Sequence, residues 1–289
     1  MSNVPYEIEY MKLSQKILDE GVWVENKRTG TRCLTIIGHT FQYNVGKGEV
    51  PLLSTKQSFP VSAVAEILGY LRGYTNAQQF ADIGSPTWFA NANDNQAWLN
   101  NLHRKGENDM GKVYGAIGRD FGGIDLLEKV YKNLDRGIDD RGETLTFWKP
   151  DDFDKGCLRP CMRTHTFSIL GDTLHLTSES RSVDHCLGSN FNSIQCYFLL
   201  ALMAKVTGLK AGIATHHMIN VHIYEDHLKG LKEQMSRPII ELNPSLKIKP
   251  WVCGLDDVVD HPFFNEHARE YVDIDYKGFA PKIDFKMVA

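Results

Sequence analysis

The sequence has few cysteines, little net charge and no long hydrophobic run, and each absence excludes a class of protein. None of its apolar stretches approaches the roughly 18 uninterrupted residues of a membrane span. The opening residues, MSNVPYEIEYMKLSQK, lack the apolar core of a signal peptide. We therefore expect a cytoplasmic protein without a membrane partner. A formal net charge of −4 over 289 residues gives no general basic field for nucleic acid, so any phosphate site has to be local.

Cysteine is sparse for a chain of this length. Six cysteines in 289 residues show no small-scaffold pattern, and free thiols are therefore expected rather than a disulfide framework. The six are Cys33, Cys157, Cys161, Cys186, Cys196 and Cys253. Each is then either a small buried hydrophobic residue or a reactive group.

Hydrophobic periodicity predicts the main helices. Apolar residues recur at three- and four-residue intervals in residues 5–20, 61–71 and 126–134, which is the spacing of one helix face. The stretch SNFNSIQCYFLLALMAKVTGL (189–209) is apolar nearly all round, and at this length it indicates a buried core helix rather than a membrane span. A shorter helix is expected in EDHLKGLKEQM (225–235).

Extended segments lie between these helices. The stretches CLTIIGHTFQYNV and GIATHHMINVHIY are typical of strands, and FSILGDTLHLTSES predicts two strands joined by a tight turn at Gly171 and Asp172. The polar segment 90–111 is expected to be an exposed insertion. With no repeat and no low-complexity linker, residues 1–289 are predicted to form one α+β domain with a mixed order of elements.

The stretch RPCMRTHTF (159–167) places one thiol, Cys161, between a proline and basic residues. Cys157, Cys161 and His165 follow one another at four-residue intervals, which raises the possibility of a metal site. Pro160 interrupts a helix that would align them, and zinc-binding cysteines usually form closer pairs, so we predict no metal. The residues alone are as consistent with a buried, inert Cys161 as with a nucleophile.

Arginine-bearing segments favour the reactive interpretation of Cys161. A thiolate needs cationic neighbours to be populated at neutral pH, and a phosphate needs fork-shaped donors. Arg28 lies in KRTGTR and Arg141 in DDRGE, while Arg181 precedes Ser182 at the end of a predicted strand. If these arginines converge on the thiol, one site serves both purposes. Taken singly, each is an ordinary solvated surface residue.

His222 and Tyr224 lie two residues apart on a predicted strand, so their side chains share one face. That face offers an imidazole and a phenol, which can hold a sugar hydroxyl or can form a satisfied edge of the core. From the residues alone we favour the core.

In this order, the segments resemble the thymidylate synthase superfamily, which includes the phage-type pyrimidine nucleotide hydroxymethylases. RTGTRCLTIIGHTFQY looks like the opening block, PLLSTK and AEILGYLRGYTN like the next, and MGKVYGAIGRDFGGID like the following one. RPC after Trp148 resembles the nucleophile segment, SRSVDHCLGSNFN the nucleotide-binding segment and HIYEDH the sugar-binding segment. The resemblance covers nearly the whole chain. It implies a large mixed β-sheet packed with helices, in a homodimer, and the host cytoplasm if a phage gene encodes the chain.

The resemblance implies a nucleotide site. Cys161 is the implied nucleophile, which adds to C6 of a pyrimidine nucleotide and turns C5 into a carbon nucleophile. The implied phosphate ligands are Arg28, Arg181, Ser182 and, from the other subunit of the dimer, Arg141. His222 and Tyr224 are implied to hold the 3′-hydroxyl of the sugar.

The resemblance also implies a folate site. Glu66 matches the glutamate that organises water for proton transfers. Asp184, which is counted among the catalytic residues too, and Trp88 match positions near the folate, and Lys56 is assigned to the folate as well. The implied one-carbon donor is 5,10-methylenetetrahydrofolate, with no metal. Residues 276–289 look like the C-terminal tail that closes the site in this family.

Asn192 is the implied base-reading and catalytic residue. A side-chain amide can accept from N3–H and donate to O4 of uracil, whereas cytosine presents the opposite pattern. Because a mismatched base leaves buried polar groups unpaired, such a contact discriminates strongly. The sequence therefore predicts dUMP as the nucleotide.

Four residues depart from the pattern of the synthases. They are Met162 for a histidine, Gly142 for an arginine, Ser180 for a glutamine and Gly69 for a tryptophan. Losing the histidine and the tryptophan is expected to loosen the pocket and admit water, which predicts 5-hydroxymethyl-dUMP as the product of a hydroxymethyltransferase. The alternative is methyl transfer that makes dTMP and dihydrofolate, and a further alternative is a family member that binds nucleotide without turnover.

Overall fold

The computed structural model describes residues 2–26, 30–259 and 266–287. The helices in these ranges are α1 (Val4–Glu20), α2 (Pro60–Leu71), α3 (Ala77–Asp82), α4 (Phe89–Asn93), α5 (Gln96–Leu99), α6 (Gly115–Gly118), α7 (Leu126–Asp135), α8 (Asn190–Val206), α9 (Leu228–Ser236) and α10 (Asp256–Val259). The strands are β1 (Val22–Asn26), β2 (Thr31–Asn44), β3 (Thr144–Thr146), β4 (Met162–Leu170), β5 (Thr173–Asp184), β6 (Lys210–Tyr224), β7 (Ser245–Ile248) and β8 (Val272–Asp275). The helices and strands predicted from periodicity are all present.

Six strands form one mixed sheet in the order β1-β2-β6-β5-β4-β3. Neighbouring strands run antiparallel except β5 and β6, which are parallel. The turn at Gly171 and Asp172 joins β4 to β5, as predicted. Parallel neighbours need a crossover connection, and α8 provides it between β5 and β6. The chain is thus a single α+β domain whose large mixed sheet is packed with helices, which confirms the predicted fold class.

The helix α8 lies at the centre of the core. It packs against β6, β5 and α2, and side chains on all of its faces are buried, among them Phe198, Leu199 and Leu202. Each large apolar side chain that is removed from water contributes about 1.5–3 kcal/mol. This position explains why the segment is apolar nearly all round. No helix within the described ranges is long and apolar enough to cross a bilayer.

The opposite face of the sheet is partly open. Buried and more exposed side chains alternate along the first part of β5 and the middle of β6, as expected for strands with one packed face, whereas residues 33–36 of β2 and 221–224 of β6 are buried throughout. Gln42, Thr177 and Thr215 stand opposite one another in the strand register on the open side, and Gln42 Nε2 donates to Thr215 Oγ1 at 3.2 Å. In the part of the sheet around these residues, one face is packed and the other is open.

The polar segment 90–111 is less exposed than predicted. It contains most of α4 and all of α5, and Trp98 and Met110 are buried in the core. The Trp98 indole N–H donates to the Asp109 carbonyl at 2.6 Å. The buried ring of Trp98 anchors the segment. The polar residues around it in the sequence led to the prediction of an exposed segment. Its status as an insertion stays a prediction.

Glu7 on α1 is a buried carboxylate that ties the helix to the loop before α2. It is fully buried and accepts hydrogen bonds from the Asn3 side chain and from the backbone and hydroxyl groups of both Ser54 and Thr55. We expect Glu7→Gln to lower the free energy of unfolding by about 3 kcal/mol, because the new amide NH₂ faces groups that donate. Urea unfolding measures this, and the matched control is Glu9→Gln, since Glu9 is exposed. Equal stability of the two variants contradicts the prediction.

Candidate active site

Most of the predicted site residues lie at one end of the central strands of the six-stranded sheet. β5 and β6 are parallel, so their C-terminal ends lie side by side, and Asp184 pairs with His222 there. β4 runs antiparallel to β5, which brings its N-terminal end to the same end of the sheet. Cys161 immediately precedes β4, and the Arg181 N–H donates to its carbonyl at 2.8 Å. Residues far apart in sequence therefore meet because of the strand order.

Arg181 is held directly beside the Cys161 thiol. Its Nε donates to the Pro160 carbonyl at 2.9 Å and its Nη2 to the Arg159 carbonyl at 2.9 Å. The same Nη2 lies 3.7 Å from Cys161 Sγ, and the guanidinium stacks over the Trp148 ring. Cys161 is partly exposed, not sealed in the core. A fixed positive charge next to an accessible sulfur is the environment that reactive cysteines require.

Tyr114 is a site residue that the sequence interpretation missed. Its hydroxyl accepts the Cys161 backbone N–H at 2.9 Å, and its ring stacks on Tyr70 with centroids 4.4 Å apart. Tyr114 has φ +41°, a strained conformation of the kind that clusters at functional sites. Gly115 permits the close approach, since an added Cβ would lie 1.7 Å from the Tyr70 carbonyl oxygen. In the sequence, the Tyr-Gly pair in MGKVYGAIG was the feature from which Tyr114 could have been identified.

Glu66 on α2 is a buried carboxyl group that accepts three side-chain hydrogen bonds. The donors are Tyr70 Oη at 2.8 Å, Thr87 Oγ1 at 2.6 Å and Gln195 Nε2 at 3.0 Å. Burial raises the pKa of Glu66, although these hydrogen bonds and the neighbouring Trp88 oppose the shift. A carboxyl group with a raised pKa is suited to proton transfer near neutral pH.

Asn192 lies in the first turn of α8 and is partly buried. Its Nδ2 donates to Gln195 Oε1 at 2.9 Å. Gln195 in turn donates to Glu66, so the predicted base-reading amide and the predicted proton-transfer group are connected. Gln195 was not identified from the sequence, because the contact depends on how α8 packs against α2.

The structure brings one of the three candidate arginines to the thiol. Arg181 and Ser182 lie together near the end of β5, whereas Arg28 falls outside the described residues. Arg141 is exposed on the loop between α7 and β3, where its N–H donates to Asp139 at 2.8 Å. Within a single chain, the contacts of the described residues do not bring Arg141 to Cys161. The contribution of Arg141 from another subunit stays a prediction.

His222 and Tyr224 share one buried face at the end of β6, as the spacing predicted. Their ring centroids are 5.0 Å apart, and the His222 Nδ1 lies 3.0 Å from Asn220 Oδ1. Burial lowers the pKa of His222, so its imidazole is neutral at pH 7. A neutral imidazole can donate or accept a hydrogen bond, which suits a hydroxyl ligand.

Asp184 and Lys56 lie close together in the part of the site that the family resemblance assigned to the folate. Asp184 Oδ1 accepts from the backbone N–H groups of Cys186 and Leu187 at 3.0 and 3.4 Å. Lys56 is buried, its Nζ donates to the Cys186 carbonyl, and burial lowers its pKa. The ammonium lies 4.8 Å from the centroid of the Phe285 ring, so the C-terminal segment covers Lys56 rather than leaving it open.

The C-terminal segment packs over this part of the site as far as residue 287. The Phe285 ring contacts His227, with centroids 5.2 Å apart, and His227 Nε2 lies 2.8 Å from the Lys286 carbonyl. Arg237 Nη1 donates to the Pro281 carbonyl at 2.7 Å. The predicted role of residues 276–289 in closing the site stays a prediction, and residues 288–289 fall outside the described ranges.

Burial favours the uncharged forms of two of the candidate metal ligands, Cys157 and His165. Burial raises the pKa of Cys157 to about 12 and lowers that of His165 to about 3. In the part of the chain that the structure describes, one group of possible ligands lies within 4.8 Å, namely Asp184, Cys186 and His227. Burial keeps the pKa of Cys186 well above its usual range, so this group offers a thiol rather than the thiolate that binds metals.

The geometry is that of a candidate enzyme site. Cys161 is an accessible thiol with a fixed cation, Arg181, beside it, and Glu66 is a buried carboxyl group; these are the kinds of group that thiol-dependent catalysis uses. The thymidylate synthase family model matches residues 8–288, and the chain belongs to this family. It is a family of folate-dependent one-carbon transferases that act at C5 of pyrimidine nucleotides, use 5,10-methylenetetrahydrofolate as co-substrate and need no metal.

Similar proteins cover almost the entire chain. A protein named thymidylate synthase from Shewanella halifaxensis is 55% identical over 278 residues, which is 91% of this chain and 98% of the relative. Proteins of the same name from Colwellia psychrerythraea and Pseudoalteromonas translucida are 56% and 54% identical over 255 residues, 86% of this chain and 90% of each relative.

These relatives correct the expected reaction. They carry the name thymidylate synthase and come from bacteria, so the prediction of a hydroxymethylase is wrong and a phage origin has no support. The structural premise of that prediction was wrong too. An added Cβ at Gly69 would lie 2.3 Å from Phe80 Cε1, because the Phe80 ring occupies that space. Met162 is 2% exposed, so neither replacement opens a path for water.

Proposed function

We propose that this enzyme methylates dUMP at C5, making dTMP and dihydrofolate from dUMP and 5,10-methylenetetrahydrofolate. The observation that carries the proposal is the similarity, over 86–91% of the chain, to proteins named thymidylate synthase. The packing of Phe80 against Gly69 and the burial of Met162 support it, because hydride transfer needs a pocket from which water is excluded.

Cys161 begins the proposed reaction. Its sulfur forms a bond to C6 of the uracil ring, C5 becomes nucleophilic, and the same sulfur leaves C6 once the proton on C5 has been removed. Arg181, with Nη2 3.7 Å from Sγ, stabilises the sulfur as an anion before addition and after departure. When bound, the folate supplies both the one-carbon unit and the hydride.

Glu66 is the proposed proton-transfer group. Burial raises its pKa, which brings the carboxyl group closer to the range that suits proton transfer. Tyr70 and Thr87 donate to its two oxygens and keep the carboxyl group oriented. Asn192, linked to Glu66 through Gln195, is the proposed ligand of N3–H and O4 of the base.

The remaining predicted residues are proposed to bind the two substrates. The nucleotide ligands are Arg28, Arg181 and Ser182 for the phosphate and His222 and Tyr224 for the sugar, and the folate ligands are Asp184, Trp88 and Lys56. Asp184 fits a folate well, because its Oδ1 accepts the backbone N–H groups of the following turn while Oδ2 can accept from a ligand. Lys56 fits less directly, since Phe285 covers it.

A homodimer is proposed as the working form. The open part of the sheet around Gln42 and Thr215 is suited to a second copy of the chain. Arg141 is exposed, and its N–H donates to Asp139 on its own loop, which leaves its side chain available to the phosphate site of the other subunit.

The product distinguishes this proposal from its alternatives. We expect incubation with dUMP and 5,10-methylenetetrahydrofolate to yield a nucleotide with the mass of dTMP, together with an equal amount of dihydrofolate. Mass spectrometry and the absorbance of dihydrofolate measure both products in one reaction. A nucleotide with the mass of 5-hydroxymethyl-dUMP, together with tetrahydrofolate, contradicts the proposal, as does nucleotide binding without turnover.

A further inference from the structure

A continuous chain of side-chain hydrogen bonds joins Glu66 to Asn192 through Gln195. Gln195 Nε2 donates to Glu66 Oε1 at 3.0 Å, and Gln195 Oε1 accepts from Asn192 Nδ2 at 2.9 Å. Gln195 is fully buried on α8, three residues after Asn192, so both side chains lie on one face of the helix. The proposed reaction uses Glu66 and Asn192 but assigns no task to Gln195.

The two amides fit together in one orientation. Glu66 Oε1 already accepts from Tyr70 Oη, and as an accepting oxygen it requires the NH₂ end of Gln195. The carbonyl end of Gln195 then faces Asn192 and requires the NH₂ end of that amide. Asn192 Oδ1 is thereby turned away from Gln195 and lies on the side of Gly188, where an added Cβ would be 3.4 Å from it.

This orientation matches uracil and mismatches cytosine. Uracil presents a donor at N3 and an acceptor at O4, whereas cytosine presents an acceptor at N3 and a donor at N4. With Nδ2 bound to Gln195, Asn192 offers Oδ1 to N3–H and its second N–H to O4. Reversing the amide to suit cytosine would place Asn192 Oδ1 against Gln195 Oε1, two acceptors facing each other.

We propose that Gln195 is a positioning residue that fixes the orientation of the Asn192 amide and thereby sets the preference for dUMP over dCMP. The inference rests on the proposed function, because it assumes that Asn192 reads the base. A wrong base that leaves buried polar groups unpaired is rejected strongly. Without Gln195, the side-chain amide of Asn192 can flip without losing a hydrogen bond to another protein residue. It can then present either hydrogen-bonding pattern to the base.

Gln195→Met tests the proposal, because methionine has a similar length and no strong hydrogen-bonding group. Calorimetry gives the affinities of the wild type and the variant for dUMP and dCMP, and turnover assays give kcat/KM for both nucleotides. We expect the ratio of the dUMP value to the dCMP value to fall by about tenfold or more. Gln195→Ser removes the same two contacts and serves if Gln195→Met does not fold.

Gln195→Glu is the rescue variant. Two buried carboxyl groups in contact share a proton, so the new carboxyl group can donate its O–H to Glu66 while its carbonyl accepts from Asn192. That is the polarity of the original glutamine, and we expect the preference for dUMP to be retained. A role in packing alone predicts that Gln195→Met, the better match to an apolar core, disturbs the base preference no more than Gln195→Glu does.

Gln234→Met is the matched control. Gln234 is also fully buried, and its Nε2 donates to Thr55 Oγ1 at 3.1 Å outside the site, so the variant should lose stability but keep the base ratio. An unchanged base ratio in Gln195→Met overturns the inference, as does an equal change in Gln234→Met. Failure of the wild type to make dTMP overturns the proposed function instead, while the affinity ratios still decide the role of Gln195.

Discussion

Cys161→Ala is expected to reduce dTMP formation by at least about 10⁴-fold, as removal of a covalent nucleophile does in other enzymes. The thiol is partly exposed, and Arg181 Nη2 lies 3.7 Å from its sulfur, whereas an alanine methyl group cannot form the bond to C6. The phosphate and sugar ligands proposed above are untouched by the change. The affinity for dUMP should therefore stay within about tenfold of the wild-type value.

Single-turnover assays and calorimetry with dUMP measure these two effects separately. Cys253→Ala is the control, because Cys253 is exposed and lies in the turn before α10; this variant should keep wild-type turnover. Residual activity of more than about one per cent in Cys161→Ala contradicts its role as nucleophile. Loss of dUMP binding together with turnover indicates instead that the residue supports the structure of the site.

Acid is expected to destabilise the fold through buried histidines, and two of them, His165 and His216, lie in the sheet and have the same kind of partner. His165 Nδ1 lies 2.7 Å from Ser178 Oγ, and His216 Nε2 lies 2.9 Å from Ser180 Oγ. Burial lowers the pKa of both histidines to about 3, while an unfolded histidine has a pKa near 6.5. Between these values the unfolded chain binds protons that the folded chain does not. Stability is therefore full above pH 6.5 and decreases as the pH falls.

The size of the effect follows from proton linkage. Each such histidine removes up to about 1.4 kcal/mol per pH unit below 6.5, so the pair removes about 4 kcal/mol between pH 7 and pH 5. Urea unfolding at fixed protein concentration across this range measures the loss. His165→Gln keeps a partner for Ser178 that cannot become charged, and it should remove the share of one histidine, up to about 1.4 kcal/mol per pH unit, from the dependence on pH. His103→Gln, a change at a partly exposed position, is the control. An undiminished dependence in His165→Gln contradicts the prediction.

Local patterns in the sequence located the elements because those patterns record burial. The apolar stretch of α8 is buried on all sides, and His222 and Tyr224 share a face because strand side chains alternate. Contacts between separate helices and strands produce no such local pattern in the sequence. The Arg181–Cys161 pair depends on the register of β4 and β5, and the Gln195–Glu66 contact depends on the packing of two helices.

The mistaken hydroxymethylase prediction has a clear physical origin. It treated Gly69 as a missing tryptophan and therefore as added space, whereas the Phe80 ring fills that space from another helix. Interiors are close-packed, so a small residue at one position is commonly offset by a larger one at a neighbouring position. Only coordinates reveal which neighbour does so.

The crossover through α8 has a consequence for how this enzyme comes together. Glu66 lies on α2, Cys161 precedes β4 and Asn192 lies on α8, so the candidate site forms only when three separate segments have packed together. A nucleotide that contacts all three residues therefore binds the folded chain and not its partly folded forms. By mass action, such a ligand at one hundred times its dissociation constant adds about 2.7 kcal/mol to stability. Cells well supplied with substrate thus protect the enzyme from unfolding.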